Sequence, residues 1–163
     1  MNSFLEAVAA RTPAPGGGAV AAMTAASAAA LVSMAARFSS ADPVATAGDE
    51  LRARLVQLAA DDAAAYEAVL AARGAERAAA MRVATEVPRA IASAAAEVAI
   101  LAHGLAENGN PRLLGDARVA ELLAEAAAKA AGVLVEINTA EREKSLGRHE
   151  TSGGTSDGHV CTN

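Results

Sequence analysis

Large side chains are scarce in this chain of 163 residues, which has no tryptophan, one tyrosine and two phenylalanines. A core built on aromatic packing is thereby excluded. The single Cys161 lies in a polar carboxy-terminal stretch, so no intrachain disulfide and no cysteine-rich metal site can form. That usage fits a reducing, cytoplasmic setting. Basic residues number 14 against 19 acidic ones and form no cluster dense enough to follow a phosphate backbone, so nucleic acid is not an expected partner. No alternating run of β-branched residues occurs, which excludes a sheet. Charge is missing altogether between Arg11 and Arg37. That run is mostly Ala, Ser, Thr and Met, with Val20, Leu31 and Val32 as its strong apolar residues, and the first charge of the chain is Glu6 rather than a basic group. A buried helix is expected there, and neither a membrane span nor a signal peptide.

What is abundant is alanine, 48 residues of it. Small side chains let helix axes approach closely, but at about 25 cal/mol per Å² each alanine gains little from burial. Self-association would supply the missing area. The length fits one domain, and its breakers divide it into five helices: Asn2 to about Arg11, Gly18 to about Ser39, Val44 to about Arg73, Ala75 to about Asn108, and Asp116 to about Ser145. The fold class predicted is all-α, an up-and-down bundle over residues 1–147, with Pro88 kinking the fourth helix or opening a new first turn. The Gly/Ser/Thr-rich tail, 148–163, is expected to be disordered.

Two features stand out as candidate chemistry. In the third helix Leu51, Leu55, Leu58, Val69 and Arg73 project within about 40° of one direction at 100° per residue, and Asp62 and Tyr66 fall on the same stripe. A carboxylate there is either a structural ion-pair or capping group or a group retained for chemistry. Asp61 points about 100° away. The second feature is "TPAPGGG", residues 12–18. Its prolines set an extended turn, and its glycines allow positive φ and leave the first N–H groups of the next helix uncovered, which makes a packing corner or an anion seat. Other residues have plainer readings. His103 reads as solvent-facing or paired, Met23 and Met34 as core on a Val20-Ser27-Leu31-Phe38 stripe, and Glu86 with Arg82 and Arg89 as a solvated face. Asp116 reads as a helix cap or a substrate contact.

The stretch "FLEAVAARTPAPGGGAVAAMTAASAAALVSMAA" resembles the amino-terminal signature of the cyclodeaminase/cyclohydrolase family. "DDAAAYEAVLAA", "ATEVPRAIA", "GNPRLLGDARVAELLAEAA" and "VLVEIN" are similar to its later motifs, in the same order, so that the likeness runs over about residues 3 to 138. It implies an all-helical homodimer acting on a tetrahydrofolate derivative as substrate, with no permanently bound cofactor and no metal. The reaction implied is closure of 5-formiminotetrahydrofolate to the 5,10-methenyl compound with loss of ammonia, or hydration of the methenyl compound to 10-formyltetrahydrofolate. Asp62 is then the expected general acid/base, its pKa raised by apolar surroundings. Pro15, Gly16, Gly17, Gly18, Tyr66, Asn110, Asp116 and Asn138 are the expected substrate-binding residues, the glycine corner receiving a carboxylate or polar edge of the ligand. The chain departs from the family pattern after the uncharged helix, where "RFSSADP" replaces a lysine-rich segment, and at Glu136-Ile137-Asn138, where the family has Arg-Ile-Asn. Fewer basic groups near an anionic folate leave open a non-catalytic folate-binding or assembly module.

Overall fold

The computed structural model describes residues 1–150, with side chains through residue 144. Its helices are α1 (Asn2–Ala9), α2 (Gly17–Phe38), α3 (Asp42–Ala71), α4 (Gly74–Asn108) and α5 (Leu114–Glu150), with a 3-10 turn, Pro111–Leu113, leading into α5. The four long helices form an up-and-down bundle in which α2 and α4 each pack on both α3 and α5. Among the described residues there is no strand.

The chain reversals follow from local chemistry. Arg73 Nη1 donates to the carbonyls of Leu70 and Ala72, both at 2.9 Å, satisfying acceptors that the end of α3 leaves unpaired. Gly74 follows with φ +53, a left-handed conformation that favours glycine. Asn110 caps the 3-10 turn, its side chain accepting from the Arg112 N–H at 3.0 Å. Asp116 is therefore not the cap expected: α5 already begins at Leu114, and Asp116 stands in its first turn, where a negative charge is favoured by the exposed N–H groups. Pro88 does not open a new helix, because α4 continues unbroken through it. Residues 148–150, expected to be disordered, continue α5; the rest of that tail lies outside the described residues.

The core is alanine with a few larger plugs. Leu55, Ile91, Val32 and Val98 are fully buried among Ala22, Ala25, Ala29, Ala95 and Ala124. At Gly48 an added Cβ would overlap the Ser33 hydroxyl, so α3 passes α2 at a distance only small residues permit. This corrects the expected orientation of α2 in part. Of the Val20-Ser27-Leu31-Phe38 stripe, Val20, Ser27 and Phe38 are exposed, Phe38 by 65%, whereas Leu31 and Met23 are half-buried against the core and Met34 is half-buried. Close helix approach selects the face with the smallest side chains and turns the larger ones outward. Both α2 and α4 are long and apolar enough to cross a bilayer, but 61% of the apolar window of α2 is buried within the bundle.

Candidate active site

One end of the bundle opens into a cleft of about 390 Å³ lined by residues from every long helix and from the turn before α2. Pro13, Ala14, Gly16, Gly17 and Gly18 supply one wall; Asp62, Ala63 and Tyr66 come from α3, Ala84 and Pro88 from α4, and Leu134, Ile137, Asn138 and Glu141 from α5. The sequence candidates Gly16, Gly17, Gly18, Asp62, Tyr66 and Asn138 thus meet in one place. Pro15 belongs to the same turn without being among the lining residues, and the peptide before it is cis.

Asp62 is the chemical centre of the cleft. It continues the line of Leu55 and Ala59, both buried, and is itself only half-buried, because the line runs out from the core into the cleft. Burial raises the pKa of its carboxyl above the ordinary value, and a hydrogen bond from the Ala19 N–H opposes that rise without cancelling it. The carboxylate therefore sits against the first turn of α2 and accepts one of the N–H groups left free there. The N-cap residue of α2, Gly16, has no side chain to do this. A buried cation, the other structural reading of Asp62, is not among the causes of its shift.

The three glycines do not use the positive φ open to them. Gly16 has φ −120, and Gly74 is the glycine with positive φ among the described residues. None of Gly16, Gly17 and Gly18 is in a left-handed conformation. Gly18 is required for space, since a Cβ there would overlap the Asp62 carboxyl. Gly17 is the more open position, its nearest neighbour for an added Cβ being Leu134 Cδ1 at 4.0 Å. At the start of α2 the chain's own carboxylate takes the Ala19 N–H, and Gly16, Gly17 and Gly18 still line the cleft.

Tyr66, placed on the apolar stripe by spacing, is 48% exposed at the cleft, next to an open volume rather than the core. Asn138 Nδ2 donates to the Ala84 carbonyl at 2.6 Å. Glu141, which the sequence reading missed, lies one turn beyond Asn138 on the same side of α5; the i, i+3 spacing was the available signal. The cleft lining thus carries two carboxyl groups and, among the described residues, neither Lys nor Arg.

Asn110 and Asp116 are not brought to this cleft. Asn110 Nδ2 donates to the Phe38 carbonyl at 3.1 Å, at the far end of α2, roughly 30 Å from Gly18 for a helix of this length. His103 Nδ1 is 2.8 Å from Glu121 Oε1 on the exposed surface, with Arg118 bridging Glu121 and Glu107. Glu86 pairs with Arg89 at 3.4 Å in solvent. His103 and Glu86 keep their plainer readings.

Comparison with known proteins gives a consistent likeness. A family model described as Formiminotransferase-cyclodeaminase matches residues 1–145. The crystal structure of formiminotetrahydrofolate cyclodeaminase from Thermotoga maritima superposes with a TM-score of 0.85 at 31% identity, covering 92% of this chain and 83% of that one. No curated protein sequence matches.

Proposed function

Because the chain belongs to the formiminotransferase-cyclodeaminase family, we propose that it closes 5-formiminotetrahydrofolate to 5,10-methenyltetrahydrofolate and releases ammonia. The observation that carries this is the half-buried Asp62, with its raised pKa, in a cleft whose lining has, among the described residues, two carboxyl groups and neither Lys nor Arg. Such a lining complements an amidinium-type carbon, which is positive in the protonated formimino group and in the methenyl product alike. N10 attacks the formimino carbon, forming a C–N bond and a tetrahedral centre. Asp62 takes the N10 proton and gives it to the departing nitrogen. The second C–N bond then breaks, ammonia leaves, and the methenyl cation remains. A carboxyl whose pKa lies nearer neutrality than usual is suited to both halves of that transfer. No step requires a metal or a resident cofactor, since the reacting carbon is already electrophilic.

Hydration of the methenyl compound to 10-formyltetrahydrofolate uses the same kind of carbon and the same acid/base. The deciding assay incubates the purified chain with each substrate and follows methenyl absorbance. Absorbance appearing from the formimino compound supports the cyclodeaminase; loss of absorbance from the methenyl compound alone assigns the cyclohydrolase. Saturable folate binding without either change would make the protein a binding module.

The functional unit in this reading is a cytoplasmic homodimer. The exposed Val119, Leu122, Val133 and Ile137 project within about 60° of one direction on α5, with Lys129 at the margin of that stripe, and Ile137 also lines the cleft. Two helices, α2 and α5, about 30 Å long and about 10 Å apart present a face on the order of 600 Å². That approaches the roughly 800 Å² per partner of an ordinary interface. Light scattering should give a dimer mass, and Leu31→Glu with Leu122→Glu a monomer. A wild-type monomer at all concentrations would remove this part of the reading.

A further inference from the structure

Pro88 is fully buried in the middle of α4, a position where proline costs about 3 kcal/mol or more in an ordinary helix. It has no N–H to give to the carbonyl four residues earlier, which is that of Ala84. A carbonyl without its helical donor needs another partner, and Ala84 is half-buried at the cleft. Here the donor comes from another helix, Asn138 Nδ2 of α5, at 2.6 Å.

The pairing has a directional consequence. A carbonyl only accepts, so it decides which end of the Asn138 amide turns toward it, and the NH₂ end is held there. Asn138 lines the cleft, and its side chain makes no other hydrogen bond among the described residues. What remains for an occupant is Oδ1 and the second N–H, an acceptor and a donor side by side in one plane. Their complement is an N–H next to a carbonyl or imine nitrogen, the edge of a lactam or cyclic amidine.

We propose that Pro88 is a positioning residue: by leaving the Ala84 carbonyl without a helical donor, it fixes the Asn138 amide so that this side chain recognises a lactam or amidine edge of the ligand. This rests on the proposed function, in which the ligand is a reduced pterin carrying such an edge. Asn138 and Pro88, 50 positions apart in sequence, then act as one unit.

Pro88→Ala returns an N–H to Ala84 and releases Asn138. The variant should fold with an unchanged or higher Tm, because a helix former replaces a helix breaker. Its Kd for 5-formyltetrahydrofolate and its KM for the formimino substrate should nevertheless rise about tenfold, the worth of roughly one hydrogen bond, with kcat changing less. A second readout needs no folate: the Asn138 side-chain amide, followed by NMR in the ¹⁵N-labelled protein, should exchange slowly with water in the wild type and faster in Pro88→Ala. Slow exchange lost in the variant supports the positioning, even in a wild-type chain that binds no folate, a result that would sink only the functional reading. Unchanged amide exchange overturns the proposal. So does faster exchange with unchanged Kd and KM, since the amide would then be held by Pro88 but not used for recognition.

Discussion

Two asparagines stand at opposite ends of the bundle and are used in opposite ways. Asn110 is saturated: its N–H donates to Ser39 Oγ at 2.9 Å, its Nδ2 to the Phe38 carbonyl, and its Oδ1 accepts from Arg112. The first two bonds tie the turn before α5 to the end of α2, and the third caps that turn itself. Asn138 makes one bond, to Ala84, and faces an open volume with the rest of its amide. The same contrast separates the two ends at large. At the Phe38 end the asparagine is used to hold two elements together, while the Gly18 end keeps a carboxylate in half-buried surroundings where it is not at its most stable ionised. Unsatisfied capacity inside a cleft marks a binding site more clearly than the residue type does.

The largest expected effect that sharpens this comparison is at Asp62. Asp62→Asn keeps an oxygen to accept from Ala19 while removing the proton carrier, so turnover should fall by roughly 10² to 10⁴-fold with folate affinity and fold retained. Asp61→Asn is the control, because Asp61 is tied to Gln57 at 2.9 Å along its own helix. Steady-state kinetics of both variants test this, and normal turnover in Asp62→Asn would end the acid/base assignment.

Next is Gly18→Ala. The added methyl must displace the Asp62 carboxyl, which should lower stability by about 1 to 3 kcal/mol in denaturant unfolding, as overpacking does, and lower turnover with it. Gly17→Ala should do neither, since its Cβ meets only Leu134 at contact distance. If the two variants behaved alike, the close approach at Gly18 would not be what the triple glycine is for.

At the other end Asn110→Ala should cost about 0.5 to 2 kcal/mol, the usual worth of a capping side chain, and leave KM and kcat unchanged. A rise in KM as large as that of a cleft variant would break the comparison, placing Asn110 in ligand binding after all.

The smallest effect is the pH dependence of stability. The folded-state pKa of Asp62 is raised above the ordinary 3.8 of an aspartate, so between that value and the raised one the native chain binds more protons than the unfolded chain. Stability contributed by this group is therefore present at low pH and falls as pH rises through that window. Asp62→Asn lacks the penalty. Its Tm should match the wild type below pH 3.8 and exceed it increasingly above. A constant Tm difference across that range would mean that burial does not penalise the carboxylate.

Much of the helical frame was readable from local signals. Helix formers, breakers and the 3.6-residue period act within one or two turns, so the five helices came out within a few residues of their ends, and Asp62 was singled out by its place on an apolar line. Its partner was not readable, because the Ala19 N–H that it accepts from lies 43 positions earlier in the chain. Glu141 carried only a weak local mark, its i, i+3 spacing from Asn138 on α5.

The sequence by itself determined that the chain is helical, where it turns, and which small set of motif residues carries functional potential. Tertiary structure alone decided which face of α2 is inside, because burial depends on what packs opposite, and with alanine on one face and larger apolar groups on the other, close packing selected the alanines. It also decided that Gly18 makes room for the Asp62 carboxyl. And it decided that the carbonyl left open by Pro88 is met by Asn138, a bond between residues 54 positions apart from Ala84 to Asn138. Local propensity acts over a few residues, and a hydrogen bond of that reach exists only once the helices have docked.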